Sequence, residues 1–465
     1  MIDRIGRERR GILRDAMRLS VPVMLEEALG TVVGYADTAM VGRIGAAASA
    51  SVGMTASVTW LVGSPLWAMG VAVMAVISRN MGAGNREQAR KAAGQALWLT
   101  LGLGLFLTCV TVSVSGFLPG WMGADVSLRA DASTYFRIIC IPMVLRAALV
   151  IPGYALRAVH EVRIPMLINI GVNLLNVVLN RFLIFGPVQR KIFGAAFSLP
   201  GLGMGVRGAA IATAVSVSLG GLATLFVFLR HRSLSLRACH LRPDRRILKA
   251  CLSIWFPAAL TRMGTCLGHV VFASQVTRLG TTALAAHTLA LTAEEAFYIP
   301  GYGMQTGVAT LCGNALGAGD EKKLRLTATT MMAVSAILMG CTGLVLFLVP
   351  GQLMSVFTTD PGVIALGAAV LRLVALTEPV YGVGIILDGV FDGIGATRIP
   401  LICSVSTMWG IRILGTWIAV SLLHLSLPAV WGCMVANNIA KTALETAVFA
   451  RGGWRRRIQR KEKTE

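Results

Sequence analysis

Residues Pro22 to Gly45 read PVMLEEALGTVVGYADTAMVGRIG, an apolar, helix-length run that carries one isolated acid, Asp37, near its far end. Glu26 lies 11 residues earlier, close to three helical turns, and so shares a face with Gly30, Val33 and Asp37. An ionisable group this deep in an apolar run is expensive unless it has a task. The stretch therefore raises two linked questions: whether the run crosses a membrane, and what Asp37 does there.

The composition around it answers the first. Of 465 residues, 55% are hydrophobic and 14% charged, with a mean hydropathy of +0.70. A soluble chain carries roughly a quarter of its residues as charges. The net charge of +21 would fit nucleic acid, but the basic residues sit between apolar runs, where positive-inside topology accounts for them and no nucleic-acid partner is expected. The nine cysteines are scattered singly, so neither a disulfide framework nor a zinc site is indicated. The N-terminus, MIDRIGRERRGILRDAMRLS, has no signal-peptide core and reads as a basic cytosolic helix leading into the membrane.

With about 20 apolar residues needed per crossing, twelve spans are predicted, near 16–41, 50–79, 92–118, 133–157, 164–186, 207–230, 250–277, 283–313, 324–349, 365–392, 399–423 and 427–450. The runs are too long, and alternate too little, for barrel strands. The fold class is thus an all-α polytopic membrane protein. The organisation expected is an N-terminal arm (1–15), an N-terminal lobe (16–230), a basic linker (231–249), a C-terminal lobe (250–450) and a basic tail (451–465). Arg4 to Arg14, Arg79 to Lys91, Arg157 to Arg163, Arg230 to Lys249, Lys322 to Arg325, Arg398 and the tail all fall on one side. The opposite loops hold only Arg43, Arg129, Arg190, Lys191, Arg207 and Arg278. Both termini are therefore expected in the cytoplasm.

The chain also repeats itself. PVMLEEALG…VGRIG at 22–45 recurs as PAALTRMGT…VTRLG at 257–280, a shift of 235 residues. The same shift relates Pro65 to Pro300, Met69 to Met304, Gly82-Ala83-Gly84-Asn85 to Gly317-Ala318-Gly319-Asp320, and Arg163-Ile164-Pro165 to Arg398-Ile399-Pro400. It breaks only near the fifth and sixth spans, where the first half has a longer outer loop, Gly186 to Gly205. Six spans per half give two copies of the same orientation, an arrangement characteristic of carriers.

Span 5 carries Asn169, Asn173, Asn176 and Asn180, whose spacing of 4, 3 and 4 places them on one helical face. At 1.5 Å per residue, Asp37 and Asn180 each lie roughly 25–29 Å from the inner ends of their spans. The two groups are therefore expected to meet in the outer half. A carboxylate with amide oxygens suits Na⁺, or a proton. Glu26 is a candidate inner step for protons, or a partner for Arg14 or Arg18; Glu27 is rotated away. In the second half, Arg262 and Glu294 or Glu295 fall near mid-membrane, where an ion pair between them is the economical expectation; a substrate-recognising acid is the alternative. Glu378 is a further candidate for attracting a cationic compound, and no role is evident for Arg146, Asp388 or Asp392. The two Gly-Ala-Gly segments lack a preceding strand and a Lys-Ser/Thr, so they are turns rather than phosphate loops, with Asn85 and Asp320 placed as helix caps. Pro142 and Pro379 are among the prolines expected to bend spans. No Walker motif, nucleophile–base pair or metal-ligand cluster appears, so neither an enzyme nor a bound cofactor is expected.

Taken together, Asp37-Thr38 with Val41-Gly42-Arg43-Ile44-Gly45, Asn80-Met81-Gly82-Ala83-Gly84, Leu183-Ile184-Phe185-Gly186, Gly205-Val206-Arg207-Gly208-Ala209-Ala210, Leu284-Ala285-Ala286-His287, Pro300-Gly301-Tyr302-Gly303 and Gly313-Asn314-Ala315-Leu316-Gly317-Ala318-Gly319 resemble the multidrug and toxic compound extrusion (MATE) family along essentially the whole chain. The resemblance implies a twelve-helix, two-lobed antiporter of the bacterial inner membrane. Such a protein exports drug-like, cationic amphiphilic compounds in exchange for H⁺ or Na⁺ by alternating access, as a monomer. It also implies that Asp37 couples transport, with Asn176 and Asn180 at matching polar positions of the same site; Asn173, on the same face of span 5, is a further candidate for coupling. DinF-like members often carry an aspartate at the position of Asn180. NorM-like members carry acids in spans 7 and 10, whereas here span 7 has no acid and Tyr381 takes the span-10 position; the chain is thus closer to the DinF-like branch, with H⁺ favoured over Na⁺. A flippase for lipid-linked sugars from the same superfamily, a lipid-modifying membrane enzyme, and a non-transporting scaffold or sensor are the other readings.

Overall fold

The computed structural model describes residues 2–123, 125–192, 195–199, 201–234 and 241–452. Most of the basic tail and residues 235–240 of the linker lie outside the described residues. The described residues form an all-α chain whose helices can be numbered as twelve spans. Spans 1–3 are Ile2–Gly42, Ala46–Gly82 and Arg86–Val114. Span 4 is made of Val126–Cys140 and Met143–Ala158, and spans 5 and 6 are Arg163–Ile184 and Gly205–Arg230. Spans 7–9 are Arg245–Val276, Thr281–Gly317 and Glu321–Leu348; span 10 is made of Pro361–Ala375 and Glu378–Gly393. Span 11 is Arg398–Leu422 and span 12 is Leu427–Arg451. The basic N-terminal arm is not a separate segment: it is the first turns of span 1.

Six of these helices are individually long and apolar enough to cross a membrane, and the two broken spans qualify as pairs. Spans 1, 7, 8 and 12 fall short, and they carry Glu26, Glu27 and Asp37, then Arg262, then Glu294 and Glu295, then Lys441 and Glu445. Charge inside a span lowers its apolarity, which is why these four helices fall short. Spans 4 and 10 are bent by 46° and 60°. The breaks fall at Pro142 and just before Pro379, because proline removes a backbone donor and clashes with the preceding turn.

The Gly-Ala-Gly segments are turns. Gly84 and Gly319 take φ of +73° and +68°, a region in which a side chain is strained. Asp320 caps span 9 by accepting from the Lys323 amide at 2.8 Å. The outer loop after span 5 is one departure from an all-α chain. It contains an antiparallel hairpin, Val188–Ile192 with Ala195–Leu199, in register Val188 with Leu199. Leu202 and Met204 then return amide hydrogen bonds to the carbonyls of Phe182 and Leu183.

By contact the chain forms two compact units. One is Met1–Met24, Ser78–Asn85 and Lys249–Glu465; the other is Leu25–Ile77 and Arg86–Leu248. The first 24 residues and the turn at 78–85 thus belong with the second half of the sequence. Glycine explains both attachments. A Cβ on Gly303 or Gly307 of span 8 would lie 2.3 Å from Met24 or 2.5 Å from Ser20. A Cβ on Gly82 would lie 2.0 Å from the Asn314 carbonyl oxygen, and one on Gly317 would lie 1.9 Å from that of Arg79. Within this unit Met304, Val308, Met331, Val390 and Phe391 form one fully buried cluster, and Phe272, Ala286, Leu371 and Trp431 belong to another. Within the other unit Val41, Ile139, Ile184 and Ala210 close the outer end of spans 1, 4, 5 and 6. There, too, Gln95 and Trp98 of span 3 hold the linker by hydrogen bonds to the carbonyls of Arg242 and Leu241 at 2.8 and 2.7 Å.

Candidate functional site

In the N-terminal unit, the outer third of span 1 presents Asp37 to span 5. Asn180 donates from Nδ2 to Asp37 Oδ1 and, from the same nitrogen, to Asn176 Oδ1 at 3.0 Å. Asn176 in turn donates to Thr213 Oγ1 of span 6 at 3.1 Å, and Thr213 donates to the Ala209 carbonyl at 3.1 Å. Asn180 is fully buried and Asn176 nearly so. The 3.6-residue repeat of span 5 brings both amides to the depth of Asp37. Thr213 completes the chain of hydrogen bonds and went unnoticed in the sequence, where a lone threonine among alanines and valines carries no signal. Asn180 Oδ1 is enclosed without a partner, so one acceptor beside the carboxylate is unused.

The other two asparagines serve a second centre on the same face. Glu26 is not paired with Arg14 or Arg18. Its oxygens accept from Arg157 Nη2 at 2.7 and 2.9 Å and from Asn169 Nδ2 at 2.9 Å. Arg157 comes from the inner end of span 4, where its planar fork meets the carboxylate and stacks 5.1 Å over the Tyr154 ring. Arg14 instead lies 4.0 Å from the exposed Asp15. The Glu26–Arg157 pair borders a cavity of about 250 Å³ whose lining includes Glu27, Trp67, Arg146, Asn169 and Asn173. Glu27 is therefore not turned away from the site. Asn173 approaches Gly30 of span 1, 3.6 Å from where a Cβ would stand, and makes no contact with Asp37. Arg146 reaches the same cavity with its Nε unpartnered.

The second unit is built differently. A cavity of about 150 Å³ is lined by Glu294, Tyr298, Tyr381, Arg412, Asn437, Asn438 and Lys441, among others. Glu294 is buried and accepts from the hydroxyl of Tyr298. Among the described residues it forms no ion pair with Arg262, which does not line the cavity. The expected Arg262–Glu294 pair is absent because the cation facing that space is Arg412 of span 11. Glu295 points to an exposed face. Tyr381 shares a hydroxyl contact of 3.2 Å with Tyr302 and packs 4.7 Å from the Tyr298 ring. Asp388 has a partner after all: Lys441 Nζ lies 2.6 Å from it and 3.8 Å from Glu445. Glu378 does not reach the cavity. It is buried at the break in span 10 beside Gly343, with no partner for either oxygen. The span-11 and span-12 charges, Arg412, Lys441 and Glu445, escaped the sequence reading. Lys441 and Glu445 do stand at helical i, i+4 spacing, which was their available signal.

As a receptor for a cation, the Asp37 centre offers one carboxylate, two amides and a hydroxyl. No group of three or more His, Cys, Asp or Glu side chains that could hold a metal is present among the described residues. The Asn180 nitrogen, rather than its unused oxygen, faces the carboxylate. This arrangement serves a hydrogen-bonded carboxylate directly, and an ion such as Na⁺ only after the amide turns over.

Comparison with known proteins agrees with this architecture. The family model described as MatE matches residues 22–182 and 257–418. A probable multidrug resistance protein NorM of Thermotoga maritima is 26% identical over 446 residues, covering 96% of this chain and 94% of that protein. The multidrug resistance protein PmpM of Pseudomonas aeruginosa is 24% identical and covers 86% of this chain and 83% of its own. Among solved structures, the outward-facing conformation of a multidrug resistance MATE family transporter of the MOP superfamily superposes with a TM-score of 0.87. It is 23% identical and covers 96% of this chain and 95% of its own, a likeness of fold.

Proposed function

Because the chain belongs to the MATE multidrug efflux transporter family, we propose that it is a secondary-active antiporter in which Asp37 exchanges an inward-moving proton for an outward-moving organic amphiphile with a basic group. The observation that carries the reading is the hydrogen-bonded chain Asp37–Asn180–Asn176–Thr213, joining three spans of one unit around a single carboxylate. A proton added to Asp37 removes its charge and turns one carboxyl oxygen into a donor, which weakens the charge-assisted bond from the Asn180 amide and offers a partner to that amide's unused oxygen if it turns over. Rearranging that one contact repacks span 1 against spans 5 and 6. Coupling requires only that proton and substrate favour different arrangements.

H⁺ is preferred to Na⁺ because the donor set has one carboxylate and an amide nitrogen where an ion would need oxygen. The missing span-7 acid and the tyrosine at 381 favour the DinF-like branch and coupling in the N-terminal half. Glu26 is a secondary coupling group, its charge held by Arg157 until the proton passes. The Lys and Arg asymmetry favours a bacterial inner-membrane protein with both termini cytoplasmic.

The test is efflux of a cationic dye by inside-out vesicles under separate pH and Na⁺ gradients. Asp37→Asn is expected to abolish gradient-driven transport while leaving dye binding measurable. Wild-type stimulation by Na⁺ alone overturns the choice of ion, and unimpaired gradient-driven efflux by the variant overturns the role of Asp37.

A further inference from the structure

The exporter reading makes no use of Arg412. This guanidinium sits at mid-span with 4% of its surface exposed. Its resolved partners are soft ones: Nη2 lies 3.0 Å from the Met434 sulfur, and the ring of Phe272 lies 4.1 Å below the guanidinium carbon. Nε has no partner at all. A guanidinium presents five donors, and a thioether and a ring face are weak substitutes for oxygen. Holding such a charge inside a membrane span is costly unless something completes it. The other cation in the cavity, Lys441, already has Asp388 at 2.6 Å. Glu294 lines the same cavity but makes no ion pair with Arg412; it accepts from Tyr298 instead. A buried guanidinium and a buried carboxyl group thus face one space without an ion pair between them, and the side-chain Oδ1 of Asn437, which lines the same space, is unpartnered as well.

Two further features bear on this position. Arg412 lies in one of the two widened turns of span 11, Met408–Ile413, where the backbone bonds five residues back, the other being Ile418–Leu422; such turns are frequent at functional sites. The internal repeat gives the second. Phe272 occupies the position of Asp37, and Arg412 stands on span 11, the counterpart of span 5 with its asparagines. Where the first half assembles a carboxylate with amides, the second places a ring under a cation. The polarity of the duplicated centre is reversed.

We propose that this cavity is a binding site for a carboxylate, and that its preferred ligands are small zwitterions: the carboxylate on Arg412, the ammonium on Glu294 and the Asn437 side-chain oxygen Oδ1. The inference deepens the exporter reading by naming a substrate class, compounds that carry an acid beside their basic group. A volume of about 150 Å³ fits the charged end of such a molecule rather than a whole drug-sized one.

The probes are para-aminomethylbenzoate and its methyl ester, which differ only in the carboxylate. They are titrated calorimetrically into the full-length protein in detergent at neutral pH, with no ion gradient. The acid is expected to bind saturably and about tenfold more tightly than the ester, the scale of a charge-assisted hydrogen bond. Arg412→Gln is expected to erase that preference by weakening the acid alone, Arg412→Lys to restore part of it, and Glu294→Gln to weaken both probes. Equal affinities for acid and ester in the wild type overturn the proposal without any variant. An acid preference that survives Arg412→Gln, in protein that elutes as a single species, overturns it too. Dye efflux under a pH gradient is measured on the same preparation. Efflux without an acid preference sinks this inference and leaves the exporter reading standing; acid preference without efflux does the reverse.

Discussion

Glu26→Gln isolates the energetics of the ion pair in the N-terminal unit. The substitution keeps the shape of the side chain and removes the charge that Arg157 Nη2 meets at 2.7 and 2.9 Å. The side chains of the pair are 8% and 12% exposed, so the guanidinium left behind has little water to turn to. Breaking one side of a buried pair costs about 3–5 kcal/mol. The adjoining cavity admits some solvent, and Tyr154 continues to stack on the cation; both place the expected loss near the lower end, about 3 kcal/mol. Removing Arg157 as well removes the orphaned charge, so Glu26→Gln with Arg157→Gln is expected to recover about 2 kcal/mol of the summed single losses. The assay is tryptophan-detected unfolding in mixed micelles, run as a double-mutant cycle. A coupling below about 0.5 kcal/mol would refute the claim that the pair is a buried, energetically linked unit. The same double variant decides the role of Glu26 in transport. Recovered stability with recovered proton-driven efflux makes the pair structural, and recovered stability without efflux leaves Glu26 in the coupling path.

Other outcomes follow from the same geometry. Asn180→Asp puts a second carboxylate beside Asp37 and is expected to make dye efflux respond to Na⁺, read as stimulation by a Na⁺ gradient at constant pH; no response rules out this centre as a latent Na⁺ site. Gly317→Ala forces a Cβ to within 1.9 Å of a backbone oxygen, and because backbone cannot yield cheaply, a loss of about 1–3 kcal/mol is expected in thermal unfolding. Asp360→Ala removes the cap that accepts from the Gly362 and Val363 amides at 2.8 and 3.2 Å and should cost about 1 kcal/mol, with Asp360→Asn recovering most of it.

Much of the frame is legible in the residues because membrane folds obey local rules. An apolar run of sufficient length has no alternative but to span, and a repeat at constant shift carries the arrangement of one half to the other. Asp37 and Asn180 could be matched because both are placed by depth along rigid helices, and depth follows from residue count. What the linear pattern hides is azimuth between helices. Glu26 has arginines nearby in sequence at Arg14 and Arg18, yet Arg157, far away in the chain, meets it from span 4. Arg262 and Glu294 agree in depth but look in different directions, so the cation beside Glu294 comes from span 11. The hairpin at 188–199 is invisible to a hydropathy scan because its strands are short and their pairing is satisfied by backbone alone. Glu378 looked like a cavity acid because its place in the sequence does not reveal that the break in span 10 turns it toward Gly343.

The broken spans also bear on history. Cys140 and Ala375, the last residues before the two breaks, differ by the repeat shift, as do Met143 and Glu378, the first residues after them. A bend shared at matched positions is most simply accounted for by a bend in the single copy before it doubled. Its half-length product would have worked as an assembly of identical copies, and symmetry denies such an assembly different side chains at equivalent places. The aspartate at 37 opposite the phenylalanine at 272 is therefore younger than the bend. Fusion into one polypeptide released the two copies from that symmetry, so an acid could stand at 37 without its counterpart at 272.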